Sequence, residues 1–170
     1  KNHDVIRPTA DRVRETIFNV VAQSCDGLSV LDLYAGTGAL GLEAVSRGAV
    51  RAVLVDSGRE AQALCRQNIE ALGFGAVVSV LPVSVAAALK QLAGAGQHFE
   101  LVFADPPYKV EAGAELVASV AAVLVDEGVF VLETSKHEVV PTEVDRLKLE
   151  DERRFGETVV RIFRLTTAVP

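Results

Sequence analysis

Short apolar runs alternate with amphipathic stretches along almost the whole chain. Leu28–Tyr34 (LSVLDLY), Ala52–Asp56 (AVLVD), Val77–Leu81, Phe99–Ala104 (FELVFA) and Val129–Glu133 (VFVLE) read as buried strands, each bounded by polar or glycine-containing turns. Between them lie helical patterns. Arg12–Ala22 puts Val13, Ile17, Val20 and Val21 on one face, and a second helix runs from the glycine turn through Arg47. Ala61, Leu64, Cys65, Asn68, Ile69 and Leu72 form the inner stripe of a third that ends near Gly73. Val85–Leu92, closed by Gly94 and Gly96, and Ala112–Val125 complete the set. The tail differs: Arg146–Glu150 and Thr158–Leu165 alternate polar and apolar residues around Gly156, as an antiparallel hairpin would. Strands joined by helical crossovers imply a parallel sheet with helices on both faces. The pattern therefore predicts a single α/β domain over residues 1–170, Rossmann-like, with a mostly parallel seven-stranded sheet ending in the hairpin.

Composition narrows the functional classes. Apolar residues make up 49% of the 170-residue chain, enough for a sizeable core. No apolar run approaches the ~18 residues of a membrane span, and the opening KNHDVIRPTADR has no signal-peptide pattern. A soluble, cytoplasmic and monomeric protein is expected. The formal net charge of −6 counts against general electrostatic coating of nucleic acid, so any basic footprint must be local. Cys25, Cys65, His3, His98 and His137 lack ligand spacing, and no metal is expected. The chain starts at Lys1 and contains no Met, which reads as a trimmed piece.

Gly36-x-Gly38-x-x-Gly41 lies between the first strand and the second helix, and Asp56 ends the next strand. By letters alone, this is also the fingerprint of a dinucleotide site. Asp32 separates the alternatives. It lies within the apolar strand just before the turn, where a carboxylate is costly without a partner. Beside a pyrophosphate it would add like charge; S-adenosylmethionine (SAM) has no phosphate and presents an ammonium and a sulfonium. The segment Asp32, Leu33, Tyr34, Ala35, Gly36, Thr37, Gly38 thus favours SAM, with Asp56 at the ribose and Ser57 also a cofactor-binding candidate. Many such enzymes place another acid after the third strand for the adenine amine; here only Ser84 or backbone groups are available.

Asp105-Pro106-Pro107-Tyr108 closes the fourth strand, at the sheet edge where α/β folds hold ligands. An exocyclic amine on a nucleobase is a poor nucleophile because its lone pair is delocalised into the ring. The Asp105 carboxylate and Pro106 carbonyl can hold its two N–H groups and turn the lone pair toward a methyl donor. The prolines stiffen the turn, and Tyr108 offers a face for an extruded base.

The chain resembles the RsmD family of bacterial 16S ribosomal RNA guanine-N2 methyltransferases. Three segments carry the likeness: Arg7–Asn19 (RPTADRVRETIFN), Leu31–Gly48 and Asp105–Tyr108. The resemblance implies the class I SAM methyltransferase fold, SAM as donor, and a guanine of 16S rRNA in a small-subunit assembly particle as acceptor. It places Arg7, Thr9 and Arg12 at the substrate mouth, where Thr9 could equally be a helix N-cap. It also implies a basic β-hairpin arm ahead of the RPT block, which six residues precede here. Two other readings stay open: an amino-methyltransferase acting on a DNA base or another RNA, and a nicotinamide-dependent oxidoreductase. The latter leaves DPPY unexplained.

Overall fold

The computed structural model describes residues 8–107 and 113–169. The parallel half contains β1 (Ser29–Leu33), β2 (Arg51–Val55), β3 (Val78–Leu81), β4 (Phe99–Ala104) and β5 (Leu124–Ser135). The antiparallel half adds β6 (Glu143–Val144), β7 (Leu147–Phe155) and β8 (Thr158–Leu165). Among the described residues, α1 (Pro8–Val21) precedes β1, and α2 (Ala39–Ser46), α3 (Arg59–Leu72), α4 (Val85–Gly94) and α5 (Ala114–Ala121) connect the strands of the parallel half. The sheet order is β3-β2-β1-β4-β5-β8-β7-β6. The fold is that of the class I SAM methyltransferases. Among the described residues it has eight strands, not seven, because the short β6 pairs with β7.

The chain runs outward from β1 to β2 and β3 on one side, and through β4 to β5 on the other. Crossover connections therefore diverge at β1 and β4, leaving a crevice at their carboxyl ends. The pleat sorts side chains between two cores. Leu31, Leu33, Val53, Val102 and Leu132 pack beneath α4 and α5. Val30, Leu54, Leu101, Phe103 and Val131 pack beneath α1, α2 and α3. On that second face, the Phe18 ring of α1 lies 5.6 Å from that of Phe103, anchoring α1 across β4. Such an aromatic pair adds about 0.5–1.5 kcal/mol beyond its buried area.

Element identities follow the apolar pattern; several ends do not. α1 begins at Pro8 rather than Arg12, since proline suits the first helical turn. α5 stops at Ala121 and β5 starts at Leu124, so the apolar Leu124–Val125 leaves the expected helix for the sheet. Leu124 pairs with Phe99 there, next to a register shift before Leu101. The hairpin turns at Gly156, as its alternation requires, but β7 extends to Phe155.

Candidate active site

A cleft of about 810 Å³ opens at the carboxyl edge of β1, β2 and β4, roofed by Val13, Arg14 and Ile17 of α1. Asp32 faces it from within β1, only 3% exposed. Its Oδ2 accepts the Gly41 N–H at 2.9 Å, at the start of α2. Burial pushes the carboxyl up to about 7; the Gly41 bond opposes this, while the charges of Asp105 and Asp56 reinforce it. Gly41 permits that approach, because a Cβ there would collide with the Leu54 side chain and crowd Asp32 at 3.3 Å. Gly38, at φ 82°, is both left-handed and pressed against Leu54.

The turn between β1 and α2 is held from several sides. Tyr34 takes φ 56°, an uncommon conformation outside glycine, directly after Leu33. Ala35 N–H donates to Val55 O at 2.9 Å. The Cys65 thiol and Asn68 amide of α3 donate to Gly36 O at 3.2 Å and Thr37 O at 2.9 Å. These bonds explain the polar Asn68 on the otherwise apolar stripe of α3. Asp56 Oδ2 accepts Gly36 N–H at 3.0 Å and Oδ1 accepts Gly58 N–H at 2.9 Å. Each oxygen keeps a second lone pair, so Asp56 orders the loop and can still accept from a ligand. Ser57 lines the same rim.

Asp105, Pro106 and Pro107 form the opposite wall. Leu33 pairs with Ala104, which sets Asp105 just past the carboxyl end of β4, beside the turn after β1. One residue is unanticipated. Ala104 pairs with Leu132, so Glu133 at the same level of β5 faces Asp105 within hydrogen-bonding reach. Burial, then the Asp105 charge and the bond to it, push the Glu133 carboxyl up to about 8. Burial also raises Asp105, and the bond from Glu133 opposes the shift. The pair favours holding one proton between two carboxylates. Glu133 was recognisable as an acid ending a buried strand, but its partner depends on β4 lying next to β5.

The remaining candidates separate. Leu33 packs into the core beneath α4 and α5. Ser84 does not line the cleft; its Oγ accepts Ala87 N–H at 3.1 Å and caps α4. Arg12 is exposed and also absent from the cleft wall; Arg14 lines the cleft instead and bonds Asp11 at 3.0 Å. Thr9 lies inside the first turn of α1, past an N-cap position. Arg7 and Tyr108 lie outside the described residues. Thr134 and Glu138 also line the cleft, and Arg161 donates to Thr134 Oγ1 at 2.6 Å behind it.

Residues 1–164 match the family described as conserved hypothetical protein 95. Ribosomal RNA small subunit methyltransferase D of Escherichia coli (strain K12) is 33% identical over 161 residues, 94% of this chain and 79% of that protein. The chain belongs to the RsmD family. A solved conserved hypothetical protein of Streptococcus pyogenes is 35% identical, with a TM-score of 0.80 over 89% of this chain and 94% of that one. An RNA methyltransferase of Salinibacter ruber, solved with S-adenosylhomocysteine, shares the fold at 14% identity, with a TM-score of 0.69 and 94% of each chain covered. Among the described residues of this RsmD-family chain, no cluster of His, Cys, Asp and Glu could hold a metal ion. No described helix is long and apolar enough to cross a membrane.

Proposed function

We propose that this protein transfers a methyl group from SAM to the exocyclic N2 amine of a guanine in small-subunit rRNA. The observation that carries the reading is Asp32 and Asp105 facing one cleft from neighbouring parallel strands. Asp56 and Glu138 add to the same acidic wall, while Arg14 is paired with Asp11. That field favours a ligand with an ammonium and a sulfonium, and opposes the pyrophosphate of a dinucleotide. The rRNA substrate is supported by the E. coli relative, whose name specifies it.

SAM, when bound, supplies an electrophilic methyl group. Asp32 favours the cationic end of the donor, and Asp56 is positioned to accept its ribose hydroxyls. The Asp105 carboxylate and Pro106 carbonyl accept the two N–H groups of the amine and aim its lone pair across the cleft. The methyl–sulfur bond of the donor would break as the C–N bond forms, leaving a neutral thioether, and the amine would lose one proton to Asp105 or to water. Tyr108, which completes the DPPY segment and lies outside the described residues, is the aromatic residue of that segment suited to stack an extruded base. Mass spectrometry of small-subunit rRNA from cells with and without the gene tests the reading. It should show one N2-methylguanosine lost. An unchanged nucleoside profile, or loss of a methyl group from another base, would overturn it.

A further inference from the structure

The methyl-acceptor wall holds one more acceptor than an amine requires. Asp105 and the Pro106 carbonyl account for both N–H groups of the amine. Glu133 nevertheless presents a second carboxyl against Asp105, on the adjacent strand and in the same cleft. Among the described residues, no ion pair involves either group. The nearby guanidinium of Arg161 is occupied by Thr134 and Glu152. Two adjacent carboxyls with no cationic partner among the described residues need donors between them.

Nucleobases differ in the edge beside the exocyclic amine. Guanine N2 has a ring N–H at N1 on one side. Adenine N6 and cytosine N4 have a ring nitrogen lone pair at the corresponding place. An ionised carboxylate next to the amine-binding carboxylate therefore bonds guanine and repels the other two bases, whereas a protonated one would donate to their ring nitrogen. We infer that Glu133 is the specificity-determining residue of the acceptor site, accepting the guanine N1–H while Asp105 accepts from the N2 amine. The inference rests on the proposed methylation of a guanine amine and adds the means of choosing the base.

The test uses 2-aminopurine, which keeps an amine at C2 but has a lone pair at N1. Small-subunit rRNA is assembled by ligation with guanine or 2-aminopurine at the nucleotide mapped in the cellular experiment. Transfer from methyl-labelled SAM is then measured as kcat/KM above pH 8, where Glu133 is ionised. The natural protein should prefer guanine by about 10- to 100-fold, the worth of one hydrogen bond to a charged group. Glu133→Gln should reduce that ratio to within a few-fold, because an amide can turn its N–H₂ toward the N1 lone pair. Glu133→Asp should lose turnover on guanine yet retain the preference, and SAM affinity by calorimetry should stay unchanged in both. A merely structural Glu133 would lower both substrates together and leave the ratio intact, which would overturn the inference. If the natural protein fails to methylate the guanine substrate, the methyltransferase reading itself falls.

Discussion

The acidic residues of this protein occupy two contrasting settings. On the β7–β8 hairpin each acid meets a base: Glu150 accepts from Arg164 Nε at 3.1 and 3.0 Å, and Asp151 pairs with Arg153 at 3.1 Å. Glu157 lies 3.0 Å from Lys136, which holds its carboxyl below the ordinary range. In the cleft the shifts have the opposite sign: Asp32 rises to about 7 and Glu133 to about 8. The residue types are the same; burial reverses the outcome, with no ion pair to Asp32 or Glu133 among the described residues. Paired surface acids stabilise little, whereas unpaired acids in a concave site are poised for a cationic or donor-rich ligand.

The largest effect should come from removing the cleft acid assigned to the amine. Asp105→Ala should lower methyl transfer by about 10²- to 10⁴-fold, the range for a group acting on the reacting proton and its orientation. SAM affinity, measured by calorimetry, should change by no more than a few-fold. Near-normal turnover would make the cleft acids no more functional than those of the hairpin.

Asp32→Asn keeps the shape and the acceptor for Gly41 N–H but removes the charge. It should weaken SAM binding by about 10- to 100-fold, matching about 1.5–3 kcal/mol for a hydrogen bond to a charged group. The same variant carries a pH signature. A carboxyl raised from 3.8 to about 7 holds its proton more tightly in the folded protein. That contribution is complete at low pH, is lost as pH rises from about 4 to about 7, and is flat beyond. Thermal denaturation across that window should show Asp32→Asn losing less stability than the natural protein. SAM affinity of the natural protein should rise over the same window, because a cation prefers the ionised carboxylate.

Gly41→Ala tests packing at the same point. Its new methyl would meet the Leu54 side chain and Asp32, so stability should fall by about 1–3 kcal/mol in denaturant titration, with weaker SAM binding. The smallest change belongs to the hairpin. Glu150→Gln removes a half-exposed ion pair and should cost at most about 1 kcal/mol, with methyl transfer unchanged. A larger loss there would erase the contrast between the two regions.

The sequence by itself determined the strands of the parallel half, because a strand buried on both faces must be apolar throughout. It also marked where the ligand edge lies, since glycines 36, 38 and 41, Asp32 inside an apolar run, and DPPY are unfavourable choices unless a backbone or ligand comes close. The RPT block extended that reading to the family. Tertiary structure decided the remainder. Its position after the third strand offers Ser84, or backbone groups there, to the adenine amine, but Ser84 Oγ caps α4, because a serine beside a helix start satisfies an otherwise unpaired N–H. Arg12 and Arg14 look equivalent in the chain, but the helical repeat turns only Arg14 into the cleft. Glu133 lies 28 residues from Asp105 and shares no local motif with it. Their approach exists only because β5 pairs in parallel with β4, with Leu132 beside Ala104. Local residue chemistry fixes which groups can bind or react; strand order and register, set by burial of both sheet faces, fix which of them meet.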